Sequence, residues 1–142
     1  MKPIVNKTIL GGLVGTAVLT MMMYLVAPMM LGHSMDIAAM LGSMMGNSWA
    51  LGMAAHWMNG VVIFPLIYAF LIYKLLPGSP MVRGAIWGLV LWLIAQVMVM
   101  PMMGAGFFSS GAGGMMAAVA SLMGHILYGG ILGKIAGSPE PG

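Results

Sequence analysis

Two histidines stand deep within apolar stretches of this sequence, His56 and His125, each followed four residues later by a glycine, Gly60 and Gly129. An ionisable side chain is expensive inside an apolar span and normally faces a protein interior or a cavity. The pair points to three kinds of chemistry. Two imidazoles on different helices could ligate a haem b, the glycines letting the flat macrocycle approach. They could form a proton relay with Asn59, Gln96 or Tyr128. Each neutral ring could instead make one interhelical hydrogen bond and hold the helices together, the first expectation for a polar residue in a span.

Methionine is the second unusual feature: there are 20 in 142 residues. Thioethers are soft ligands that select Cu(I). Met29 and Met30, Met102 and Met103, with His33, are the candidate copper ligands. Methionine is also an adaptable apolar filler. Met21, Met22 and Met23 are consecutive and must point in three directions, so some are filler. Neither haem nor copper is favoured over no cofactor. His33, Ser34 and Asp36 resemble triad members, but three neighbours on one short segment cannot converge as nucleophilic catalysis requires. There is no Cys, and no Walker A, G-x-G-x-x-G or H-E-x-x-H pattern. No catalytic constellation is recognised, and an enzyme is not expected.

These residues must be positioned by membrane helices. The chain is 61% apolar and 5% charged, whereas a soluble domain carries about a quarter charged residues. Four segments reach the roughly 20 apolar residues that a span needs. They run from about Thr8 to Leu31, Trp49 to Leu76, Val82 to Pro101 and Met115 to Ala136. Pro77, Gly78, Ser79 and Pro80 form a turn, and Ser138 to Gly142 a polar tail. The first span is too long for a signal peptide and lacks a small-x-small cleavage site, so it reads as retained. Between the first two spans, Ser34 as N-cap and Asp36 in the first turn predict a short interfacial helix from Met35 to about Met45. Lys2, Lys7, Lys74, Arg83 and Lys134 all fall on one side of a four-span layout. Positive loops stay inside, which places both termini in the cytoplasm and the chain in the plasma (inner) membrane. Basic residues so placed are topology signals, and nucleic acid is not an expected partner. The expected partners are the lipid bilayer, other membrane subunits or a second copy.

The two halves match each other. Gly11, Gly15, Pro28, Met29 and Met30 correspond to Gly84, Gly88, Pro101, Met102 and Met103 at one constant offset, and His56 and Gly60 correspond to His125 and Gly129. The expected architecture is therefore one all-α membrane domain made of two repeated hairpins, about Thr8 to Leu76 and about Val82 to Gly137. Small residues four apart mark packing seams in membranes, here Gly11, Gly15, Gly60, Gly84, Gly88, Gly129 and Gly133. Both histidines and Gln96 lie on such rows and should face protein.

Several phrases occur together: T-A-V-L-T, M-D-I-A-A-M-L-G, H-W-M-N-G-V-V-I, M-P-M-M-G-A-G-F-F and G-H-I-L-Y-G-G-I-L-G. With them the sequence resembles a family of small, functionally uncharacterised four-span prokaryotic membrane proteins. The resemblance runs from about Gly11 to Gly133 and implies a four-helix membrane fold with His56, Pro101 and His125 as family positions. It implies no activity. The expected function is a structural or accessory membrane module. The alternatives are a haem- or Cu(I)-handling protein and a small permeation or proton-transfer protein.

Overall fold

A computed structural model describes residues 5–138; Lys2 and the tail beyond Ser138 lie outside the described residues. Among these, all regular structure is helical. We label the helices α1 (Val5–Leu31), α2 (Ile37–Ser43), α3 (Trp49–Leu75), α4 (Pro80–Met102) and α5 (Gly114–Ala136). All but α2 are long and apolar enough to cross a membrane, the design of a multi-pass membrane protein. Their outward faces carry large apolar residues such as Leu10, Leu25, Leu71 and Leu93, as suits contact with lipid tails.

The helix ends follow local chemistry. Ser48 caps α3 by accepting from the Leu51 N–H, and Ser79 caps α4 by accepting from the Val82 N–H, with Pro80 in the first turn. At α2 the structure corrects the expectation: Asp36, not Ser34, is the N-cap, accepting from the Ala39 N–H at 3.0 Å, and the helix starts at Ile37. A carboxylate this short serves well as a cap because it is an acceptor only and reaches the N3 amide.

Prolines shape the spans. Pro28, Pro65 and Pro101 each lack an N–H and would clash with the carbonyl four residues earlier. In each case the preceding turn widens to an i→i+5 register, over Met22–Val26, Asn59–Ile63 and Ala95–Val99. The Ala27, Phe64 and Met100 N–H groups donate to the carbonyls of Met22, Asn59 and Ala95. In that register the prolines should donate to Met23, Gly60 and Gln96, and cannot. The first two carbonyls find other donors. Met35 N–H reaches the Met23 carbonyl at 3.3 Å, which ties the segment before α2 to α1. The Tyr128 hydroxyl donates to the Gly60 carbonyl at 2.6 Å, which ties α5 to α3.

Glycines set the packing order. On α4 and α5, Gly84, Gly88, Gly129 and Gly133 bring main chain against main chain: a β-carbon added at Gly84 would lie 2.7 Å from Gly133 Cα, and one at Gly129 2.8 Å from Gly88 N. Gly11 and Gly15 bring α1 against Leu132 and Tyr128 of α5. Gly60 meets Thr16, joining α3 to α1, and Gly52 meets Ala38, joining α3 to α2. Neighbouring helices in this order run antiparallel. By contrast α3 and α4 meet mainly where Tyr68–Ile72 touches α4. There Arg83 donates to the Gly78 and Tyr73 carbonyls, its guanidinium 4.5 Å above the Tyr73 ring. The helices thus form an incomplete ring in the order α3, α1, α5, α4. It is pinned at the end bearing the basic residues, and parted between α3 and α4 toward the α2 end.

Candidate functional site

A cavity of about 330 Å³ occupies the middle of this ring. Below it lies an aromatic core of Tyr68, Tyr73, Trp87 and Tyr128 with Leu91 and Leu132. Met35, Ile37, Met40 and Leu41 line it from α2 and the residues just before that helix. Phe64 and Ile67 of α3 and Ile94, Ala95 and Val99 of α4 also line it. Few polar side chains interrupt this lining: Thr16, His56, Asn59, Ser121 and His125. His56 is buried and His125 half-buried. Both histidines line the one cavity.

Their hydrogen bonds fix which nitrogens carry protons. The single proton of the Thr20 hydroxyl goes to the Thr16 carbonyl at 2.7 Å, a group that can only accept. The 2.9 Å contact between Thr20 Oγ1 and His56 Nε2 must then be donated by the imidazole. For a neutral ring, Nδ1 of His56 is left bare. On α5, His125 Nδ1 lies 2.8 Å from the Ser121 carbonyl oxygen and so carries the proton. Its Nε2 is left bare. Neutrality is the stable state here because a charged imidazole would be desolvated without a counter-ion. Asp36, the one carboxylate among the described residues, is engaged elsewhere, by Tyr24, Trp49 and Ala39. Neither bare nitrogen belongs to the sealed polar atoms without partners, which are Thr16 Oγ1, Tyr68 Oη, Trp87 Nε1 and Gln96 Nε2. The two cavity-lining histidines therefore each keep one accepting nitrogen that is not sealed.

This arrangement does not suit a haem held by both Nε2 atoms. His56 Nε2 is already engaged with Thr20, a hydrogen bond that an iron at that nitrogen would have to replace. The copper ligands expected from sequence lie in different surroundings. Met29, Met102 and His33 are exposed, Met30 reaches the central cavity, and Met103 borders a separate shallow depression with Ser43 and Gly111.

A family model described as a family of unknown function (DUF6789) matches residues 3–140. The chain belongs to that family. No curated protein and no solved structure matches the chain. The DUF6789 match covers all five helices and both cavity histidines.

Two polar clusters of the DUF6789 fold were not anticipated. Asp36 joins α1, α2 and α3, accepting from the Tyr24 hydroxyl at 3.0 Å and from the Trp49 indole at 3.0 Å. Partial burial pushes its carboxyl up, but the Ala39 N–H, Trp49, Tyr24 and the Ala38 N–H outweigh this and hold it below its ordinary value. The second cluster lies beside the loop after α4. Ser109, at φ 58°, donates to Gln96 Oε1 at 2.8 Å, and both residues are buried. Asp before a helical pattern was a legible cap signal; the inward-turned Ser109 had none, because a left-handed serine cannot be read from loop composition.

Proposed function

We propose that the chain is a small accessory module of the plasma (inner) membrane that holds a lipophilic small molecule between its four helices. One observation carries this: the central cavity of about 330 Å³, within the size range of small-molecule sites. Histidines that served packing alone would sit in closed seams, as the α4–α5 glycines do, whereas His56 and His125 border open space. The sparse contact between α3 and α4 away from Tyr68–Ile72 would give a ligand dissolved in the bilayer its path. Termini in the cytoplasm are supported by Lys7, Lys74, Arg83 and Lys134, which gather at one end of the bundle. Descent from a duplicated hairpin is supported by the widened turns before Pro28 and Pro101, which match at the same offset as Gly11 and Gly84. Both helices also end at a glycine of positive φ, Gly32 and Gly104.

The test is native mass spectrometry and organic extraction of the protein purified in lipid nanodiscs. Ala120→Phe and Ala95→Leu, which fill the cavity from α5 and α4, serve as comparisons. A small molecule should accompany the parent protein and be missing from the folded variants. Equal bound material in all three would refute the proposal. A Soret band in the parent would assign a haem to the cavity and show that the His56–Thr20 bond breaks on binding.

A further inference from the structure

The ligand's chemistry can be narrowed if the cavity is a binding site, the reading on which this inference rests. We infer that the cavity takes a lipophilic hydroquinone, a flat diphenol whose two O–H groups donate to His56 Nδ1 and His125 Nε2. The deciding feature is the match of donors and acceptors. Thr20 and Ser121 fix the ring protons on the nitrogens turned to protein, so both accessible nitrogens can only accept. A molecule with acceptors alone, such as a quinone or an ester, would leave both imidazole nitrogens without a donor. An ammonium donor would bring a charge into a lining with no carboxylate among the described residues to meet it. A molecule with one hydroxyl would leave one nitrogen without a partner. Two neutral donors on a rigid apolar frame satisfy both.

Three further features agree. Asn59 borders the cavity and its side chain makes no hydrogen bond among the described residues, so its amide can donate to a phenol oxygen whose own O–H donates to an imidazole. Trp87 and Tyr128 supply aromatic walls for a flat ring. Phe64 of α3 and Ala95 of α4 both border the cavity on apolar helices, and an apolar tail would leave between them.

The experiment is a ligand series on the intact protein in nanodiscs, followed by tryptophan fluorescence. The probes are a decyl-substituted benzohydroquinone, the corresponding quinone, and the hydroquinone dimethyl ether, which keeps shape and removes both donors. The hydroquinone should bind at least tenfold more tightly than either of the others. His125→Phe and His56→Phe should erase that preference while weak binding of the ether persists. Because the ligand series needs no variant, misfolding of either substitution does not obscure the result. Equal affinity for all three probes, abolished by Ala120→Phe, would overturn the hydroquinone and leave the cavity proposal standing. Binding by none of them, with the parent indistinguishable from Ala120→Phe, would overturn both. No preference among the probes, with Cu(I) bound by the parent and lost in both histidine variants, would overturn the hydroquinone in favour of a metal centre.

Discussion

Gly129 and Gly130 are neighbours on α5, and the structure assigns alanine opposite effects at the two. A β-carbon at Gly130 meets only Met81 Cγ, at 3.9 Å, an ordinary contact. There Gly130→Ala should gain the helical advantage of alanine, about 0.5–1 kcal/mol. At Gly129 the same carbon would lie 2.8 Å from Gly88 N, about 0.6 Å inside the 3.4 Å where ordinary contact begins. The facing atoms are main chain of α4, so no rotamer change relieves the clash; the helices must part. Overpacking of this kind costs about 1–3 kcal/mol, and here four glycines share one seam, so the upper part of that range applies. After the propensity gain, Gly129→Ala should lose about 2 kcal/mol and fall about 3 kcal/mol below Gly130→Ala. Reversible unfolding in mixed micelles, followed by tryptophan fluorescence, measures both against the parent. Equal stability of the two variants would refute main-chain contact between α4 and α5.

Tyr128→Phe should lose about 1–3 kcal/mol, because the Gly60 carbonyl stranded by Pro65 then has no donor. Pro65→Ala in that background restores an N–H in the right register and should recover part of the loss; no recovery in the same unfolding assay would count against the stranded-carbonyl account. Asp36→Ala should loosen α2 by about 1 kcal/mol, the usual worth of an N-cap, seen as faster amide exchange over Ile37–Ser43. Since the folded Asp36 carboxyl titrates below its ordinary value, its contribution is complete above the unfolded carboxyl range and disappears as pH falls through the lower folded value. Clasp opening by the Trp49 indole NMR signal should track that window and be missing in Asp36→Asn. Reporter fusions at the C-terminus and at Gly111 should report opposite sides of the membrane; matching signals would contradict the topology.

The four spans were legible because length and apolarity are sufficient signals for crossing a bilayer, and the boundaries fall within three residues of those read from sequence. Gln96 was placed on the inward row of Gly84 and Gly88 by spacing alone, and it is fully buried. The widened turns were not legible. Pro101 reads as the end of a span, yet α4 continues to Met102 because the preceding turn absorbs it. The cavity could not be seen in the sequence, since it is space left among residues of five helices and no single segment encodes it. The proton positions on His56 and His125 were equally hidden. They depend on Thr20 and Ser121, whose spacing to the histidines matters only once helix faces are known.

The incomplete ring also sets a schedule for assembly. The first helix packs on the last, with Gly11 and Gly15 against Leu132 and Tyr128, and α4 draws its main-chain contacts from α5 as well. While the chain is still on the ribosome, α1, α2 and α3 can join, but α4 has no close partner and half of α1 is bare. The bundle is incomplete until the 23-residue α5 is made, so these contacts of wide sequence separation form late. A chain stopped after Met102 would show lipid a groove of naked glycine backbone along α1 and another along α4.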